Sequence, residues 1–177
     1  MVRRTPVPDG GWNCEWVDGA TRSSVHSTVN SLKGLLAYDA ATGGTAQTRA
    51  ARAGGAEYLL QRRLFRRLST GEPIADWATR FSYPFRWFYD VLNAAEYFRR
   101  AAPIDGATPD PRMAEAIEII RAARQSDGAW MQSRTHAGDV WFEIDVPPGQ
   151  PSKWLTLYAT RILTWWDSAQ PFDPTPP

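Results

Sequence analysis

Ser24-Val25-His26-Ser27-Thr28, Phe85-Arg86-Trp87-Phe88-Tyr89 and Ser152-Lys153-Trp154-Leu155-Thr156 are three versions of one block. Aligned on the central ring, His26 matches Trp87 and Trp87 matches Trp154, at spacings of 61 and 67 residues. Pro84 and Pro151 stand three residues before the second and third rings, and a helical stretch follows each block. A second block keeps similar time. Ala56-Glu57-Tyr58-Leu59-Leu60 returns as Ile117-Glu118-Ile119-Ile120, with Glu57 and Glu118 also 61 apart. Self-similarity at a steady period is the mark of a repeat architecture.

Working outward, the pattern predicts five helices. Ser23 or Ser24 caps the first, which runs to about residue 41 with Val25, Val29, Leu32, Leu35 and Leu36 on one face. Thr42-Gly43-Gly44-Thr45 ends it. The second spans about 46–68 and stops at Ser69-Thr70-Gly71-Glu72-Pro73. The third opens at Pro84 and ends near Arg100, the fourth spans about 112–125, and the fifth runs from Pro151 to about Trp166. A short strand is expected at Val140-Trp141-Phe142-Glu143. Residues 1–8 read as a loose end, 9–168 as one repeat domain, and 169–177 as a disordered proline-rich tail. Helices one, three and five start with the tripled block, and helices two and four carry the Glu-centred block. Alternation of two helix types at this period signals stacked helical hairpins.

The composition narrows the function classes. With 20 basic and 19 acidic residues the net charge is +1, which argues against a nucleic-acid binder. All but two of the basic residues, Lys33 and Lys153, are arginine. That bias reads either as anion recognition or as genomic base composition. The single cysteine, Cys14, excludes an intrachain disulfide. No apolar run approaches the roughly 20 residues that span a bilayer, and Met1-Val2-Arg3-Arg4-Thr5-Pro6 lacks the apolar stretch of a signal peptide, so a cytoplasmic protein is expected. Nine tryptophans are many for 177 residues and imply a Trp-filled core or a Trp-lined pocket.

The segment Ile119-Ile120-Arg121-Ala122-Ala123-Arg124-Gln125-Ser126-Asp127-Gly128-Ala129-Trp130 resembles the Gln–Gly–Trp repeat of squalene/oxidosqualene cyclases and their relatives. Asp9-Gly10-Gly11-Trp12 matches the end of that motif but lacks its Gln, and the stretch around Leu68-Ser69-Thr70-Gly71 has lost it. The motif and the helical period together are similar to the α/α-toroid superfamily, which also holds protein prenyltransferase β subunits. The resemblance implies an all-α fold, a partial α/α toroid of stacked helical hairpins. It places helices one, three and five on the inner ring, around a central cavity. A full toroid has about six hairpins, so five helices enclose only part of a ring, and self-association or a partner chain completing the toroid is expected.

The chemistry that the resemblance implies is isoprenoid chemistry, either cyclase/isomerase or prenyltransferase-like. The Asp-x-Asp-Asp acid motif of triterpene cyclases is absent, because Asp139, Glu143 and Asp145 are too widely spread, and the Asp-Asp-x-x-Asp magnesium motif is absent too. The expected function is therefore an isoprenoid ligand held in an aromatic-lined cavity without the protonation motif. The alternative is a non-catalytic binding or assembly module on the same scaffold. His26 sits at the ring position of the tripled block and is the candidate proton donor or acceptor, or else a packing histidine. Tyr89 and Asp90 would add a hydroxyl and a carboxylate one helical step away, and Asp90 stands where the other copies have Val29 and Leu157. Arg80, Arg86 and Lys153, beside Trp87 and Trp154, could hold an anion such as a diphosphate while the rings pack an apolar tail, or could simply stack and pair locally. No cofactor is expected. Zinc would need Cys14 and His26 with further ligands, and their spacing fits no short zinc motif. Arg62, Arg63, Arg66 and Arg67 would share one helix face, either solvated or a peripheral membrane contact.

Overall fold

A computed structural model describes residues 7–169. The fold is mainly α, with one two-stranded ladder. Its helices are α1 (Val25–Thr42), α2 (Ala46–Gln61), α3 (Val91–Asp105), α4 (Ala114–Ala122) and α5 (Lys153–Ser168). Short 3-10 turns lie at Cys14–Asp18, Asp76–Thr79 and Pro111–Met113. Strand β1 (Trp130–Met131) pairs antiparallel with β2 (Pro151–Ser152). No helix among the described residues is long and apolar enough to cross a membrane.

Local signals set most helix ends. Ser24 enters α1 in extended backbone, and Gly43 closes it in the left-handed region. Thr45 and Thr48 form a reciprocal capping box at the start of α2. Val29, Leu32 and Leu36 recur at helical spacing and are buried, as are Leu59 and Tyr58 on α2. Gly55 lets α2 close on the N-terminal segment, since a Cβ there would stand 2.5 Å from the Trp12 ring. Arg52, with 3% of its side chain exposed, ties three helices together. It donates to Asp39 of α1 at 2.7 Å and, bidentate, to Asp105 at the end of α3 at 2.7 and 2.6 Å.

Helices α1, α3 and α5 lie side by side. α2 packs on α1, and α4 packs on both α3 and α5. The two outer helices of the row begin alike. The Trp12 amide donates to Thr28 Oγ1 at 3.0 Å, and the Trp130 amide donates to Thr156 Oγ1 at 3.0 Å. Trp12 also accepts from the Ser24 amide at 2.8 Å, and Trp130 pairs with Ser152 across the β ladder. The starts of α1 and α5 are therefore equivalent, whereas α3 takes its cap from Asp90, the residue after the block Phe85–Tyr89. Ser24, Asp90 and Ser152 occupy the three N-caps.

Four sequence expectations need correction. α2 stops at Gln61, because Arg63 and Leu64 adopt positive φ of 46° and 67° and turn Leu64 into the core, where it is fully buried. Arg62, Arg63, Arg66 and Arg67 consequently share no helix face. α3 begins at Val91 rather than at Pro84. Residues 84–90 form a loop after a cis Tyr83–Pro84 bond, with Arg86 at φ 47°, and Asp90 is the cap. The segment 140–143 forms bends, and the ladder lies at 130–131 and 151–152 instead. The start of the chain is anchored within the expected loose end, since Val7 is 3% exposed and exchanges backbone bonds with Gly10 and Gly11. Residues 1–6 of that end, and 170–177 of the expected tail, lie outside the described residues.

Candidate functional site

The α1–α2 hairpin carries a groove of about 980 Å³. Ser27, Asn30, Ser31, Gly34 and Leu35 of α1 form its floor, and Gln47, Thr48 and Ala51 of α2 form one wall. Trp12, Asn13, Cys14 and Trp16, with His26 and Trp87, supply the rest. Among the described residues, no Asp, Glu, Lys or Arg lines it. Gly34 is informative. It sits inside a helix, where glycine costs about 1 kcal/mol relative to alanine, yet a Cβ there would meet nothing within 4 Å. Packing explains Gly55 but not Gly34. The absent side chain of Gly34 widens the groove. Trp16, on the wall, has an Nε1 that is buried and unpaired among the described residues, a donor that lacks an acceptor.

His26 and Trp87 meet at the rim. Their ring centroids are 5.5 Å apart, and Trp77 and Tyr89 close on His26 at 4.7 and 6.2 Å. Burial, and then the Arg134 charge, lower the His26 pKa from 6.5, so the imidazole is neutral at pH 7. Asn30 fastens the Trp87 loop to α1, donating to the carbonyls of His26 at 2.7 Å and Trp87 at 2.9 Å. From Trp87 the stack continues to Phe88 at 3.9 Å and on to His136 at 3.7 Å, nearly parallel. A second aromatic group lies toward α5, where Tyr83 stacks on Trp154 at 5.2 Å and Phe85 meets Tyr158 at 5.1 Å.

Between the two groups lies a buried polar set. Lys33 donates to Asn93 Oδ1, and its Nζ stands 5.2 Å over the Phe85 ring. Burial lowers the Lys33 pKa to about 8 and raises that of Asp90 to about 7. Burial, with Arg134 and Arg86 nearby, lowers His136 to about 4. Ser82 Oγ lies 3.2 Å from His136 Nε2, which looks like a nucleophile and its base, but the two residues are 1% and 8% exposed and present no face to a substrate.

The remaining candidates are dispersed. Tyr89 is fully buried and donates to the Leu64 carbonyl, closing the turn after α2. Asp90 accepts the Asn93 amide at 2.7 Å as the cap of α3. Arg80 is exposed and pairs with Asp76 at 3.5 Å. Arg86 donates to the Ala137 carbonyl at 3.0 Å. Lys153 is exposed and sits over its neighbour Trp154, whose Nε1 donates to the Ile144 carbonyl at 3.3 Å. The three cations thus have separate partners and form no common anion clamp. Cys14 and His26 line the same groove, but no group of three His, Cys, Asp or Glu suited to a metal occurs among the described residues. Trp12, Trp16, Leu35 and Ala51 are groove residues that the tripled block does not point to. The sequence signals for them are the Asp9-Gly10-Gly11-Trp12 turn, Leu35 on the apolar face of α1, and Gly34, a glycine inside a helix.

No protein-family model matches the chain, and neither a curated protein nor a solved structure is significantly similar to it.

Proposed function

We propose that the chain is a non-catalytic binding module that holds a neutral, isoprenoid-class apolar molecule in the α1–α2 groove. The scaffold we propose is the partial α/α toroid that the Gln–Gly–Trp resemblance implies. The side-by-side row of α1, α3 and α5, with α2 and α4 packed on it, supports that reading. The observation that carries the function is the lining of a groove of about 980 Å³: Trp12, Trp16, Leu35, Ala51 and Trp87 supply apolar surface among neutral polar side chains such as Asn30 and Gln47, with no charged residue among the described ones. A diphosphate would lose its hydration there without gaining a cation. The neutral His26 in the lining suits a ligand with one hydroxyl or carbonyl. No carboxylic acid among the described residues lines the groove to serve as the donor for cyclisation by protonation.

Equilibrium titration of intrinsic tryptophan fluorescence with farnesol and with farnesyl diphosphate tests this. Farnesol is expected to bind at least tenfold tighter. Displacement of bound farnesol by equimolar farnesyl diphosphate would contradict the proposal. A second reading, an assembly module, rests on a different observation. Trp141 and Phe142 are 101% and 72% exposed, and Leu157 of α5 is 43% exposed. Light scattering that finds a dimer dissolved by Trp141→Ser, in a protein that binds no farnesol, would favour it.

A further inference from the structure

Where α2 ends and α4 begins, a second cleft of about 840 Å³ has the opposite chemistry. Arg63, Arg66, Arg67 and Arg112 line it, with Glu115 as the one acid among the described lining residues. Two of the arginines are already saturated. Arg66 grips Glu115 bidentately, with Nε–Oε2 at 2.7 Å. Arg112 takes Glu57 at 2.9 and 3.0 Å and Asp110 at 2.7 and 2.9 Å. They form a rigid wall. The other two have forks to spare. The Arg63 side chain is 63% exposed and comes no nearer than 3.8 Å to Glu115, while exposed Arg67 donates one nitrogen to the Ile74 carbonyl. Glu72 adds one more nearby negative charge, felt by Arg66.

The backbone singles out Arg63. Its φ of 46° is a conformation suited to glycine or asparagine, yet an arginine occupies it. The turn is required to bury Leu64, so the residue before it is placed on the cleft wall. Pro111 and Ala114 bring the start of α4 to the same cleft, its first amides already bonded to Asp110 and Pro111. Glu115 shows what the arginine forks accept, since it is a carboxylate held in two-point geometry. We infer that this cleft is a binding site for a small, multiply charged anion of the phosphate class, held chiefly by Arg63 and Arg67 against the wall of Arg66 and Arg112. It is independent of the α1–α2 groove.

Isothermal titration with inorganic pyrophosphate in low and physiological salt, on the full chain, tests the site. Saturable binding that weakens with salt is expected. It should fall at least tenfold in Arg63→Glu/Arg67→Glu and stay unchanged in Lys153→Glu/Arg161→Glu, which makes the same charge change elsewhere. Circular dichroism verifies that both variants fold. A phosphate-bearing lipid could supply the same chemistry, so phosphatidylglycerol and phosphatidylcholine vesicles form the second arm. Binding of pyrophosphate together with phosphatidylglycerol vesicles would assign a headgroup, and pyrophosphate alone a free anion. No pyrophosphate binding, or equal loss in both double variants, would overturn the inference.

Discussion

The two ends of the helical row begin alike, and the middle does not. At α1 and α5 a buried tryptophan, Trp12 or Trp130, gives its amide to a threonine one turn into the helix. At α3 the same stage of the repeat is a loop. Its Phe85–Tyr89 segment leaves the helix, swings Trp87 to the groove and stacks Phe88 on His136. The comparison teaches where a repeat can be altered at little cost. The outer starts hold the row together, while the middle start, flanked on both sides, is free to shape a site. Asp90 marks the exchange. It replaces the serine caps of its neighbours and is buried enough to titrate near 7.

Substitutions can break this comparison. The largest effect is expected at the outer tryptophans. Trp12→Ala and Trp130→Ala, at positions 4% and 2% exposed, should each lose about 3–5 kcal/mol in denaturant unfolding. A loss under about 1 kcal/mol at either would break the equivalence of the two ends. The caps come next. Asp90→Ala should cost about 1–2 kcal/mol, and Asp90→Asn should recover most of it by keeping the acceptor for the Asn93 amide. Ser24→Ala should cost less, because the Ser24 side chain makes no capping bond. Smaller again, Thr28→Val and Thr156→Val should each lose about 1 kcal/mol, matched within error.

The acid–base behaviour sharpens the contrast. Asp90 has a raised pKa, so the folded state binds the extra proton between about 4 and 7, and this group's contribution to stability falls as pH rises through that window. His136 is lowered to about 4 from 6.5, so the unfolded state binds the extra proton and stability rises with pH. The two nearly offset. The stability of Asp90→Asn minus that of the parent should climb from pH 4 to 7, and the same difference for His136→Gln should fall from pH 4 to 6.5. Parallel difference curves would refute the assignment.

The outer helices were legible from sequence because their signals are local. Ser24 and Ser152 cap, Gly43 terminates, and Leu32 and Ile162 recur at helical spacing into a core. The middle start was not. Pro84 suits a helix N-terminus, and only tertiary stacking of Phe85, Phe88 and Tyr89 overrides that preference. The turn after α2 was hidden for a similar reason, since no glycine announces the positive φ of Arg63 and Leu64. Of the candidate site, the tripled block singled out His26 and Trp87, which line the groove, but also Trp154, which stacks on Tyr83 instead. The groove could not, because it depends on which faces of α1 and α2 remain unpacked.

Gly34→Arg tests the central claim most directly. The substitution fills a helix position whose Cβ meets nothing within 4 Å, so it should fold at least as stably as the parent. It also places a long cation in the uncharged groove. The dissociation constant for farnesol should rise at least tenfold with the fold intact. Unchanged affinity in the folded variant would show that the ligand, if it binds, sits elsewhere.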